Sequence, residues 1–291
     1  MSNNMKLSII IVSWNVLDKL RKNLEQLYLS EVDFEFEVFV VDNNSGDSSV
    51  EMVRAEFPQV NMIVNQDNLG FARANNMAIK KTNKTGAYIL LLNPDMIVER
   101  NTLQQAVNWM DSNQQAAVSG IRLESLDGQI LPHVRRFPTM IDQLMIILKL
   151  PHVFKHVLDS YLRLDFDYSM ASRVDSVRGS FFLMRRFADE LPLLDERYFI
   201  WFEEVDYCRQ MKLQGREVWY NPVATCIDLV GGSFSQVERG TTQIYFRNSM
   251  LLYFKKWHSK IEYGVLYIAW PVGIIITALG SFLKITLKHK T

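Results

Sequence analysis

The first half of this chain alternates short apolar runs with amphipathic ones, and that alternation limits the fold more than any other feature. Leu7–Val12, interrupted only by Ser8, and Val38–Val41 and Tyr88–Leu92 are apolar runs, as strands buried on both faces should be, and Val60–Val64 reads as a further strand. Helical patterns separate them. One is capped at Asn15, has Asp18 three residues on, and runs to Tyr28; a second opens on a Ser48/Glu51 capping-box pattern; a third covers Gly70–Lys81; a fourth runs from Asn101 to Asp111. Strand–helix alternation of this kind predicts an α/β fold with a mostly parallel central sheet covered on both faces. In such sheets ligands bind beyond the carboxyl ends of the strands. Asp42, after Val41, and Asp95, three residues after Leu92, both fall there.

The second half is less regular. Leu126-Asp127-Gly128 is a turn signal, and Thr139–Leu164 is helical in period and unusually apolar. Val174–Met184 reads as a strand, Glu203–Leu213 as a helix stopped by Gly215, and Val218–Tyr220 and Ala224–Ile227 as two short strands. From Tyr263 to Leu283 no residue is charged, which would make a helix about 31 Å long, close to the thickness of a bilayer core. Lysines flank this stretch on both sides. It is expected to be a membrane-associating tail over residues 259–291; the alternative is a buried terminal helix, with Pro271 weakening a clean span.

Charge and cysteine content exclude some classes. Thirty-two basic residues balance thirty-two acidic ones, so nothing suggests a nucleic-acid partner held by phosphate neutralisation. The two cysteines, Cys208 and Cys226, are too few for a disulfide scaffold or a zinc cluster and suit a reducing cytosol. The polar start, Met1 to Lys6, runs straight into a strand pattern and does not read as a secretory signal.

Four stretches carry candidate chemistry. Asp42 leads into Asn43-Asn44-Ser45, where a carboxylate can accept hydrogen bonds from a base or ribose; the same run is also ordinary turn chemistry. Asn93-Pro94-Asp95 can offer a carboxylate to a hard divalent cation or simply end a strand. Trp201 to Asp206 places Glu203, Glu204 and Asp206 beside aromatics. One of these acids can be raised in pKa to act as a general base, or all can be N-terminal acids favoured by the helix dipole. Asp228 follows a short strand and precedes Gly231-Gly232, a position from which it can supply a second metal ligand.

Taken in order, these stretches resemble the family 2 glycosyltransferases of the GT-A fold, above all the bacterial rhamnosyltransferase-like members. The resembling segments are Ser8-Ile-Ile-Ile-Val-Ser-Trp-Asn15, Val40-Val-Asp-Asn-Asn-Ser45, Asn68-Leu-Gly-Phe-Ala-Arg-Ala-Asn75, Leu91-Leu-Asn-Pro-Asp95, Arg135-Arg-Phe-Pro138, Arg178-Gly-Ser-Phe-Phe182 and Phe202-Glu-Glu-Val-Asp206. The resemblance implies a GT-A nucleotide-binding domain over residues 1–258. Its half 1–115 would hold the nucleotide sugar, and its half 116–258 the acceptor and catalytic base. It implies that Ser13, Asn15, Asp42, Asn44, Arg73 and Asn93 contact the nucleotide sugar and that Glu204 is the catalytic base of an inverting transfer. Asp95 and Asp228 would hold Mg2+ or Mn2+. Asp228 stands where the family usually has histidine, and Asn93 where the metal motif usually has its first acid. These departures keep open a non-catalytic, membrane-tethered nucleotide-sugar-binding protein with a degenerate metal site. The expected partners are a nucleotide diphospho-sugar, dTDP-rhamnose by branch resemblance, and a glycan or lipid-linked acceptor in cell-surface polysaccharide synthesis. The expected location is the cytoplasmic face of the cell membrane. A dinucleotide-dependent oxidoreductase is disfavoured because no Gly-x-Gly-x-x-Gly follows the first strand.

Overall fold

Apolar residues in the first strand, Met5–Ser13 (β1), face two sides in alternation. Leu7, Ile9 and Ile11 join one buried cluster and Ile10 joins another. The computed structural model describes residues 5–187, 190–229 and 238–288. It shows the same division along Glu35–Asp42 (β2) and Tyr88–Leu92 (β4). Helices Leu17–Tyr28 (α1), Ser49–Glu56 (α2) and Thr102–Ser112 (α4) cover the first face. Phe71–Ile79 (α3) and Glu203–Leu213 (α7) cover the second. The sheet is therefore the middle layer of three.

With Asn61–Val64 as β3, the strands β3–β2–β1–β4 pair in parallel. Beyond β4 lie Phe181–Arg185 (β8), Ala116–Glu124 (β6), Glu217–Asp228 (β9) and Met96–Val98 (β5). Strand β8 is antiparallel to both β4 and β6, so its first residue sits opposite the last residue of β4, in the pair Leu92↔Phe181. That reversal brings the loop before β8 to the edge where the parallel strands end.

Several local expectations are corrected. Asn15 does not cap α1: its φ is 51°, and its Oδ1 accepts from the Gly46 amide at 2.7 Å. Asp47 takes over, accepting from the Leu17 amide at 2.8 Å. Ser48, with φ 64°, forms no capping box with Glu51; Asp47 again accepts from Ser49, whose hydroxyl lies at 2.6 Å. The expected strand Val174–Met184 is strand only from Phe181, in β8; before it, the Val174 amide donates to the Val218 carbonyl and Ser176 bridges Arg135, and the short strand Ser172–Arg173 (β7) precedes the expected start. The two strands expected after Gly215 are one strand, β9, with its register shifted opposite Ile121/Arg122, where Pro222 has no amide to donate.

Helices Met140–Ile147 (α5), Asp159–Leu162 (α6), Arg239–Trp257 (α8) and Lys260–Lys288 (α9) complete the fold. The apolar C-terminal stretch is helical. It leans on α5 and α8: Leu266 is fully buried in a third core cluster with Ile147, Phe202 and Phe254. A Cβ on Gly273 would lie 2.5 Å from the Ile147 carbonyl oxygen. Among the described residues no helix is long and apolar enough to cross a membrane, so the hydrophobic tail is not supported as a span.

Candidate active site

The parallel edge collects the site. Ser13 and Asp42 are register partners at the ends of β1 and β2, and the Asn43 amide extends the ladder by donating to the Ser13 carbonyl at 2.8 Å. Asp42 is 1% exposed. Its Oδ2 accepts from the Ser45 amide at 2.9 Å, while its Oδ1 and the Ser13 hydroxyl are buried without a partner. Buried polar atoms normally have a partner, and these two are free to take one at the strand ends, where ligands bind in such sheets. Asn15 braces this loop from both sides, since its amide also donates to Ser45 Oγ at 2.9 Å. Asn44 stands exposed at the tip with φ 64°. Arg73 is exposed on the first turn of α3, and its positive charge acts on Glu196.

Asn43 was not among the sequence candidates. Its amide nitrogen donates to the Gly70 carbonyl at 3.2 Å, and its Oδ1 accepts from Asn65 at 2.9 Å. Gly70 in turn lies under Phe199, whose carbonyl accepts from the Phe71 amide at 2.7 Å. The nucleotide loop is thus tied to the segment that delivers Trp201 through Glu204.

The second cluster forms where β4 ends. Asn93 donates its amide to the Ser180 carbonyl at 2.9 Å and accepts on its own carbonyl from Asn23 at 3.2 Å. Asp95 and Asp228 are brought together by the β5–β9 pairing. Met96 faces Asp228, and the Leu229 amide donates to the Asp95 carbonyl at 2.9 Å. Burial, and then the charge of Asp228, push the Asp95 carboxyl above the ordinary carboxylate range. Two hard oxygen donors under mutual repulsion suit a divalent cation whose other ligands come from the donor and water. Among the described residues no three His, Cys, Asp or Glu side chains form a group that could hold a metal. Val230-Gly231-Gly232-Ser233 lie outside the described residues.

Arg178 is the residue the sequence reading passed over, although it lies in a quoted segment. Its Nη1 donates to Asp228 Oδ2 at 2.9 Å, with the guanidinium half-exposed and the carboxylate buried. Its charge also lowers the pKa of Asp95 and of Glu204. The following residue, Gly179, sits beside Glu204; a Cβ there would be 3.7 Å from Glu204 Cβ. One short segment, Arg178-Gly179-Ser180, therefore touches both acid groups.

The three acids at the start of α7 have different roles. Asp206 is fully buried and accepts from Lys256 at 2.8 Å, the Trp257 indole at 2.6 Å and Gln210 at 2.6 Å. It joins α7 to α8. Glu203 is buried with Oε2 unpartnered, and burial followed by the charge of Glu204 holds its carboxyl well above the usual range. Glu204 is also raised by burial, with Arg178 opposing, and its Oε2 is likewise unpartnered. Burial raises both carboxyls, and for Glu204 that is the direction a general base needs.

Fold and site together define a GT-A-type nucleotide-binding protein with acids at the strand ends. Residues 8–190 match the sequence profile described as "Glycosyl transferase family 2". The chain belongs to that family of transferase enzymes. It is 28% identical to the rhamnosyltransferase WbbL of Escherichia coli over 74% of this chain and 80% of that one. It is 23% identical to the N-acetylglucosaminyl-diphospho-decaprenol L-rhamnosyltransferase of Mycobacterium tuberculosis over 69% and 68%. A similar Bacillus subtilis glycosyltransferase, YfnE, is matched over 40% of this chain and only 30% of its own length. Among solved structures, the mannosyltransferase PcManGT of Pyrobaculum calidifontis with GDP-Man and Mn2+ aligns with TM-score 0.55 at 16% identity, over 95% of this chain and 75% of that one. GalNAc-T7 with UDP, GalNAc and Mn2+ aligns with TM-score 0.58 at 16% identity, over 86% and 48%. At these identities the structures speak for the fold.

Proposed function

We propose that the protein moves a sugar, with inversion, from a nucleotide diphospho-sugar to a hydroxyl of a lipid-linked or glycan acceptor. The observation that carries this reading is the buried, unpartnered Oε2 of Glu204 beside the segment whose Arg178 grips Asp228. Glu204 takes the proton of the acceptor hydroxyl as that oxygen bonds to the anomeric carbon. The bond from that carbon to the diphosphate breaks, and the nucleoside diphosphate leaves with the electron pair. Ser13, Asp42 and the Asn15-braced loop with Asn44 hold the nucleoside, with Arg73 and Asn93 toward the diphosphate. Arg178 supplies a fixed positive charge beside the acids. Asp95 and Asp228 would hold Mg2+ or Mn2+, which supplies positive charge to the leaving diphosphate.

The rhamnosyltransferases among the relatives support dTDP-rhamnose as the donor and a polyprenyl-diphosphate-linked sugar as the acceptor, in cell-surface polysaccharide synthesis. The lysines around α9 and its exposed apolar side chains support attachment to the cytoplasmic face of the cell membrane. A second reading, nucleotide-sugar binding without turnover, draws on the Arg178–Asp228 ion pair, which engages one of the two metal-type carboxylates.

The test is Glu204→Gln. Donor binding, read as a thermal shift with sugar nucleotides, should persist, while transfer falls at least about a hundredfold. Transfer near the wild-type rate would overturn the assignment. Nucleotide-sugar hydrolysis that is absent with and without manganese would favour the second reading.

A further inference from the structure

An apolar cavity of 240 Å³ lies behind Trp201, between α5, α8 and α9. Ile146 and Ile147 form one wall, Phe246 a second, and Trp270 and Ile274 a third, with Lys149 at the rim. The cavity is close to the chemistry. Trp201 is followed directly by Phe202, Glu203 and Glu204, and both aromatics hold positive φ angles, 63° and 68°. Bulky side chains seldom adopt that conformation, so the turn that puts Trp201 on the cavity and Glu204 in the site is specifically maintained.

The helices that build the cavity also carry exposed apolar side chains elsewhere on their surfaces. Ile141, Val153 and Phe154, on and after α5, are 59%, 71% and 58% exposed, and Ile268, Val272 and Ile275 of α9 are 72%, 46% and 58% exposed. The last three recur at helical spacing on one face of α9, opposite Trp270, Gly273 and Ile274, which line the cavity. Single exposed hydrophobes are ordinary, so it is the apolar walls of the cavity and the lysine at its rim that mark the binding face. Gly273 lets α9 approach α5 at Ile147, and both residues line the cavity.

We infer that this cavity takes the isoprenoid chain of a polyprenyl-diphosphate acceptor, with the diphosphate at Lys149 and the sugar hydroxyl directed past Trp201 toward Glu204. The inference rests on the reading of a lipid-linked acceptor and adds the place where its lipid is held. Apolar walls match a hydrocarbon chain, a cation at the rim matches a diphosphate, and the tryptophan wall leads to the base.

The test uses the full chain and farnesyl diphosphate as probe, with binding followed by tryptophan fluorescence. Farnesyl diphosphate should bind, and inorganic diphosphate at least about a hundredfold more weakly, since it lacks the buried chain. Ile274→Asp puts a charge on the wall, and Thr242→Trp fills the space from α8. Each should weaken farnesyl diphosphate at least about tenfold, leaving the unfolding midpoint and nucleotide-sugar hydrolysis unchanged. Affinity for farnesyl diphosphate that neither variant alters would overturn the inference. So would binding to phosphatidylglycerol vesicles without binding to the probe, which would make the face a bilayer contact. Nucleotide-sugar turnover without farnesyl diphosphate binding sinks this inference alone. Variant-sensitive farnesyl diphosphate binding without any turnover sinks the transferase reading instead.

Discussion

Replacing Gly70 by alanine should test whether the nucleotide loop and the catalytic segment are one mechanical unit. Gly70 has φ 80° and ψ −179°, a conformation that only glycine adopts readily. Forcing an alanine into it costs about 1–3 kcal/mol. The new Cβ would also lie 2.3 Å from the Phe199 carbonyl oxygen and 2.7 Å from an atom of its ring, in a region already fully packed. Overpacking of that kind costs about 1–3 kcal/mol more. The sum, about 2–6 kcal/mol, is a large part of a typical total of about 5–15 kcal/mol. Relief requires Phe199 to move, which strains the Phe71 amide to Phe199 carbonyl bond of 2.7 Å and shifts the segment leading to Glu204. A displacement of about 1 Å at a catalytic group can lower turnover about a hundredfold. Urea unfolding followed by circular dichroism measures the first effect, and nucleotide-sugar hydrolysis measures the second. The control is Gly46→Ala, where no atom lies within 4 Å of the added Cβ and the change should stabilise by about 0.4–1 kcal/mol. Equal urea midpoints for Gly70→Ala and wild type would refute the reasoning.

Three further outcomes are expected. The Glu203 carboxyl is raised in the fold, so the protonated form is favoured there; its stability contribution is present at low pH and is lost as pH rises through the folded value. Glu203→Gln should therefore raise the melting temperature at pH 7–8, with the gain vanishing below the unfolded value near about pH 4.3; a gain that persists or grows in acid would contradict the sign. Asp42→Ala should weaken nucleoside diphosphate and sugar nucleotide equally in calorimetry, because the contact does not involve the sugar; selective loss of one would exclude the role. Lys256→Met removes the cation beside the fully buried Asp206 while Trp257 and Gln210 still donate to it. This should cost about 3 kcal/mol in urea unfolding, and a cost below about 1 kcal/mol would show that the pair is not what joins α7 to α8.

The layers of the fold were legible in the sequence because burial on both faces leaves a local mark. The apolar runs ending at Asp42 and Leu92 matched β2 and β4, and Glu203–Leu213 followed by Gly215 matched α7. Periodicity and turn residues act over a few positions, so one stretch of chain reports them. What the sequence left open depends on partners far along the chain. Asp206 and Glu204 are indistinguishable in a run of acids until Lys256 arrives to neutralise Asp206 and Trp257 to donate to it. Arg178 looks like the middle of a strand until β9 brings Asp228 to its guanidinium. Asn15 and Ser48 fit capping patterns, yet the packing of the two loops gave the amides to Asp47 and turned Asn15 toward Gly46. Local physics set which residues stand at the strand ends. The antiparallel entry of β8 between β4 and β6 decided which of them meet, because only the sheet order brings residues 95, 178, 204 and 228 to one edge.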